Sequence, residues 1–141
     1  MDLNSNARLV TALRSAGLKL TPQRLAIVDC IADDETHPTA QELYERLKPR
    51  FSTLSVATVY NTLSALTSIG ACRQISMGGI GRFDPNVTPH DHAVCESCGA
   101  MRDVEQGERD GDTQSCSLPG FQVKRVEKVF RGLCAQCARA A

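Results

Sequence analysis

The chain has 141 residues, 42% of them apolar and 23% charged, enough to bury a core and to exclude wholesale disorder. Its 16 basic and 16 acidic residues cancel, which excludes a polybasic or strongly acidic tail. No stretch reaches the ~20 apolar residues that span a bilayer, and the N-terminus MDLNSNARLV lacks a signal-peptide pattern, so the expected location is cytoplasmic, with no membrane partner.

Residues 4–16 carry Leu9, Val10 and Leu13 at helical spacing and stop at Gly17, a helix-ending residue. Thr21 and Pro22 supply a cap and a first-turn proline for a second helix, buried through Leu25, Ile27, Val28 and Ile31 and ending near Asp34. Thr39 with Glu42 three residues on is a capping box for a third helix, apolar at Leu43, Tyr44 and Leu47 and ended by Pro49. Ser55 caps a fourth, which Gly70 stops. Its stripe is Val56, Val59, Leu63, Leu66 and Ile69, and its opposite side carries Ser55, Thr58, Asn61 and Thr62. Residues 72–76 and 82–84 flank a glycine cluster and read as a hairpin. Helices, a polar-faced helix and a glycine-tipped hairpin, in that order, describe a winged helix-turn-helix.

The second half alternates instead. Residues 93–95, 101–105 and 121–129 read as strands, and residues 108–116 as a polar loop or short helix. The first 83 residues carry nine Lys/Arg against seven Asp/Glu, and the remainder seven against nine. A turn-rich patch, Gly78 to Asn86, separates them, which places a boundary between domains 1–83 and 84–141.

Four of the seven cysteines form two CxxC pairs, Cys95/Cys98 and Cys134/Cys137, with 35 residues between the inner two. Two such turns complete a closed tetrahedral site, so one structural Zn²⁺ per chain is expected to staple a sheet too small to be secure alone. The alternatives are a pair of redox dithiols or four unrelated buried cysteines. Cys30 reads as a small core residue, Cys72 lies in the hairpin and Cys116 in the polar loop. The three histidines are His37, His90 and His92. His90-Asp91-His92 in an extended segment turns both imidazoles to one face, with Asp84 and Asp103 on either side. The five residues make an N₃O₂ set suited to Fe²⁺ or Mn²⁺. If His37, from the other domain, joins the pair, the bound ion sets the angle between domains and so selects one arrangement of the reading heads in a dimer.

These motifs resemble the ferric uptake regulator (Fur) superfamily over nearly the whole chain. The resemblance rests on Gly17 to Arg24, His37-Pro38-Thr39-Ala40, Ser55 to Leu63, Arg82-Phe83-Asp84, His90-Asp91-His92 and the CxxC pairs. It implies an α+β fold: an N-terminal winged-helix DNA-binding domain and a small C-terminal α/β dimerisation domain with a structural Cys₄ zinc site. Asp103, where iron-responsive members usually have Glu, and Asn61 after Tyr60 resemble the peroxide-responsive, PerR-type branch. A further site built on a histidine later in the chain is expected to be absent, since none follows His92.

The resemblance implies a metal-dependent repressor that is not an enzyme. Its homodimer binds an A/T-rich inverted repeat of double-stranded DNA, and peroxide oxidises His37 or His90 at the iron and so releases it. Lys19, Ser55, Thr58, Tyr60 and Asn61 are the expected DNA contacts, with Asn61 able to read adenine, and Arg73 and Arg82 in the wing are placed to meet phosphate. The alternatives are an iron- or manganese-responsive uptake regulator of the same superfamily, a mononuclear iron enzyme and a thiol redox switch.

Overall fold

In the computed structural model, which describes residues 3–77, 79–105, 116–124 and 126–140, the chain divides into two compact units, residues 1–87 and 88–141. The N-terminal unit holds α1 (Leu3–Ser15), α2 (Pro22–Ala32), α3 (Ala40–Leu47) and α4 (Val56–Ser68), then β1 (Arg73–Met77) and β2 (Ile80–Asp84). α2, α3 and α4 each start where a side chain can satisfy the exposed amides of the first turn. The Thr21 hydroxyl accepts from the Arg24 amide, and Ser55 from the Thr58 amide at 3.1 Å. Thr39 and Glu42 exchange side-chain bonds to each other's amides, the full capping box. Gly17 and Gly70 leave α1 and α4 at φ of 78° and 76°, a left-handed turn that a Cβ would penalise.

Apolar stripes from the four helices meet in one core. Leu9 and Leu13, Ile27, Val28 and Ile31, Leu43 and Leu47, and Val59, Leu63 and Leu66 are each at most 2% exposed, as is Phe83 from β2. Thr62 of α4 and Ile69 just beyond it depart from the expected pattern. Thr62 is fully buried, because its hydroxyl donates to the Thr58 carbonyl at 2.8 Å and so brings no unsatisfied group into the core. Ile69 is 44% exposed, since the helix ends at Ser68 and the chain turns away.

The wing is antiparallel, with Arg73 opposite Asp84 and Met77 opposite Ile80. Its second strand also grips the chain ahead of α3: Thr39 bridges Arg82, and the Phe83 amide donates to the Pro38 carbonyl at 3.0 Å. Asp84 is the last residue of β2, paired with Arg73, so the division falls between residues 87 and 88 rather than at 83/84.

In the C-terminal unit β3 (Asp91–Cys95) lies between β4 (Met101–Val104), antiparallel, and β5 (Val129–Gly132), parallel, and α5 (Ala135–Ala140) follows. The expected strand over 121–129 is corrected. Residues 121–124 and 126–128 form no strand, and pairing begins with Val129 opposite His92. The reason is length: β3 offers a ladder only from residue 92 to 95, and Phe121, at 61% exposure, lies beyond its reach. α5 has no counterpart among the expected elements, and residues 106–115, most of the expected polar loop, lie outside the described residues. Among the described residues, Cys95 and Met101 are the only buried apolar side chains of this unit. No helix among the described residues is long and apolar enough to cross a membrane.

Candidate metal centres and reading face

The cysteine cluster is built by two turns. Cys95 closes β3, and the chain doubles back so that the Gly99 amide donates to the Cys95 carbonyl at 2.9 Å. Cys134 stands just before α5 and Cys137 lies within it, with the Ala138 amide donating to the Cys134 carbonyl at 2.8 Å. All four sulfurs lie within 4.8 Å of one another, and Cys98 Sγ and Cys134 Sγ are 3.9 Å apart. Thiolates about 2.3 Å from one tetrahedral ion stand about 3.8 Å apart, so the cluster fits zinc.

Its protonation points the same way. Backbone N–H groups of Cys134 and Cys98 bring the Cys95 thiol down to about 6, and the Cys137 amide lowers Cys134. Cys137, hydrogen-bonded to Cys134, is pushed up to about 12. Crowded thiolates force one sulfur to keep its proton, and a divalent cation removes that conflict.

The oxygen- and nitrogen-bearing residues form one set in each unit. In the N-terminal unit, His37 Nε2 is 3.2 Å from Asp84 Oδ2, both side chains buried. In the C-terminal unit, His90 Nε2 and His92 Nε2 are 3.0 Å apart, with Asp103 Oδ1 at 3.0 Å from the first and 3.5 Å from the second. The register of β3 against β4 puts Asp103 directly opposite His92, which sequence spacing could not settle. Ligands about 2.1 Å from one ion stand about 3.0 Å apart at octahedral corners and about 3.4 Å at tetrahedral ones. The triple therefore has the separations of adjacent ligand positions. His90 Nδ1 is 2.6 Å from the Thr88 carbonyl, the kind of partner that leaves Nε2 to face an ion. Asp91 turns the other way and accepts from the Lys128 amide at 2.8 Å, fastening the start of β5. Nothing in the sequence pattern marks that role.

On α4, Tyr60 is 49% exposed and Asn61 is exposed, so neither is spent on the core. Ser55 is exposed but engaged as the cap, and its hydroxyl also meets Thr58 Oγ1 at 3.0 Å. Lys19 is exposed, and its carbonyl accepts from Arg24 Nη1 at 2.7 Å. Arg82 is not a free phosphate contact. Its guanidinium is turned inward, with Nη1 donating to the His37 carbonyl at 3.1 Å and lying 3.8 Å from Glu42 Oε1. The Cys72 thiol is buried and donates to the Asp84 carbonyl at 3.3 Å, and burial pushes it up to about 12. Burial also raises the half-buried Cys30. Neither has the lowered value of a reactive thiol.

Comparison with known proteins gives a consistent picture. The family model described as the ferric uptake regulator family matches residues 15–128. The peroxide-responsive repressor PerR of Staphylococcus epidermidis is 36% identical over 130 residues, covering 91% of this chain and 87% of that protein. Among solved structures, PerR from Streptococcus pyogenes, described in terms of peroxide sensing and gene regulation, aligns with a TM-score of 0.54 and 27% identity. That alignment covers 96% of this chain and 94% of the other. The ferric uptake regulator of Pseudomonas aeruginosa with manganese aligns with a TM-score of 0.67 and 25% identity, over 89% and 97%.

Proposed function

Because the chain belongs to the ferric uptake regulator family, and is therefore a metal-responsive transcriptional repressor and not an enzyme, we propose that it senses hydrogen peroxide. In this reading a cytoplasmic homodimer carries one structural Zn²⁺ per chain on Cys95, Cys98, Cys134 and Cys137. His37, Asp84, His90, His92 and Asp103 together hold one regulatory Fe²⁺ or Mn²⁺. The observation that carries it is the His90–His92–Asp103 triple, three hard-to-borderline donors at 3.0–3.5 Å separations that stop short of a full shell. The His37–Asp84 pair is the matching incomplete set.

An Fe²⁺ held by these five residues would supply the one-electron chemistry that activates peroxide and would regain its electron from a histidine ring, so that peroxide is the net two-electron oxidant. The chain contributes imidazoles as the nearest oxidisable groups: one ring, of His37 or His90, gains an oxygen atom while peroxide leaves as water. An oxidised ring is a poorer donor, so the five-residue set loses affinity. The ion's preference for the DNA-binding state is then lost with it, which is population shift by differential binding. Mn²⁺ held by the same residues would not supply that chemistry, and the repressor would stay on DNA.

The metal-loaded dimer presents α4 to the major groove of an A/T-rich inverted repeat. Tyr60 and Asn61 meet base edges, with Asn61 suited to adenine, Ser55 and Thr58 lie at the helix start, and Lys19 reaches the adjacent minor groove. Exposed Phe130 and Leu133, at 51% and 52%, and the edge strand β5 support the C-terminal unit as the dimerisation surface.

The test is anaerobic DNA binding by protein loaded with Fe²⁺ or with Mn²⁺, each before and after peroxide. The iron form alone should release DNA, with one added oxygen on the His37 or His90 peptide by mass spectrometry. Release of both forms alike, with unmodified histidines, refutes peroxide sensing and leaves an iron- or manganese-responsive uptake regulator.

A further inference from the structure

His37 is the one non-glycine residue among those described with a positive φ, at 56°. It also precedes Pro38, and the proline ring restricts its predecessor to extended backbone at negative φ. The residue is thus disfavoured twice, as a side-chain-bearing residue in the left-handed region and as a pre-proline residue outside its allowed one. Such a conformation persists only where its surroundings hold it.

The hold comes from β2. Pro38 accepts from the Phe83 amide and Thr39 bridges Arg82, which fasten the two residues that follow His37. His37 itself is gripped at its carbonyl by Arg82 Nη1, at 3.1 Å. The arginine side chain is only 22% exposed and lies beside Glu42, whose other oxygen caps α3 through the Thr39 amide. Residues two apart on a strand share a face. The face of β2 that sends Arg82 to the His37 backbone therefore also sends Asp84 to the His37 ring, at 3.2 Å.

We propose that Arg82 is a positioning residue for the regulatory metal, holding His37 in its left-handed conformation so that its imidazole faces Asp84 as a ligand. This rests on the reading of His37 as a ligand. With the Arg82 bond removed, His37 relaxes toward extended backbone and its ring turns from Asp84. The ligand must then be re-ordered at the moment of binding, which weakens metal binding by about tenfold, the scale of one such strained residue.

The test is Mn²⁺ titration of the zinc-loaded full-length protein without DNA, followed by electron paramagnetic resonance of the free ion, for wild type, His37→Ala, Arg82→Met and Arg82→Lys. NMR of His37 reads its backbone through the Cα shift and the amide–Hα coupling. Arg82→Met should bind Mn²⁺ about tenfold more weakly, Arg82→Lys should fall between it and wild type, and both should move the His37 signals from left-handed toward extended values. Wild-type affinity in Arg82→Met, or weakening with the His37 signals still left-handed, overturns the proposal. If Arg82→Met does not fold, the His37 signals and affinity of Arg82→Lys decide in the same way. Full affinity in His37→Ala overturns instead the reading of His37 as a ligand.

Discussion

Removing the zinc proposed for the cysteine cluster should unfold the C-terminal unit and leave the N-terminal one intact. Structural zinc contributes on the order of ten kcal/mol in small domains, whereas whole domains are stable by only about 5–15 kcal/mol. Among the described residues the C-terminal unit buries just Cys95 and Met101 as apolar side chains, and a buried methionine is worth about 2 kcal/mol. That core cannot replace the ion. The N-terminal unit has its own, with Leu9, Leu13, Ile27, Ile31, Leu43, Leu63, Leu66 and Phe83 all at most 1% exposed. Chelation under reducing conditions should therefore collapse the amide resonances of β3, β4 and β5 into the unfolded region. Most of the far-UV helical signal should survive, because α1–α4 lie in the N-terminal unit. The dimer should dissociate in sedimentation, and Cys137→Ser should reproduce the effect with zinc present. Dispersed resonances for all three strands in metal-free protein would refute the argument that zinc stands in for a core.

Three further outcomes are expected. Leu63→Ala removes a fully buried side chain at the centre of the helical core and should cost about 2–5 kcal/mol by denaturant unfolding. Tyr60→Ala and Asn61→Ala, both at exposed positions of α4, should leave the unfolding midpoint nearly unchanged while weakening operator binding by gel shift. Asp34 has its carboxyl lowered although burial works against it, through hydrogen bonds from Thr36 and from Arg46, whose Nη1 is 2.6 Å away. A lowered carboxyl stabilises the fold above its unfolded value, about 3.9, and that benefit is lost as pH falls through the lower folded value. Arg46→Gln should thus cost roughly 0.5 kcal/mol at neutral pH, the scale of an exposed pair, and the difference from wild type should close in acid.

Local signals in the chain were enough for the helical unit. Caps at Thr21, Thr39 and Ser55, stops at Gly17 and Gly70, and apolar residues at helical spacing each act within a few residues, so their reading does not depend on what packs against them. The CxxC spacing is likewise local, because a four-residue turn by itself brings two sulfurs together. The HxH spacing is of the same kind, with His90 and His92 rings 4.5 Å apart between centroids.

Pairing across the chain decided the rest. The alternation in residues 121–129 is a strand pattern, yet a strand exists only where a neighbour supplies its hydrogen bonds, and the backbone of β3 reaches back no further than the Lys128 carbonyl. Thr62 looked polar and lies in the core because its hydroxyl finds a carbonyl one turn back, a bond that composition cannot foresee. Arg82 looked like a phosphate contact, and the register of the wing instead turns it onto the backbone of His37, 45 residues earlier. Residue type and spacing determined which groups could bind metal and which segments would be helical. Only long-range pairing, whose energy depends on partners distant in sequence, decided where each group was held and in what conformation.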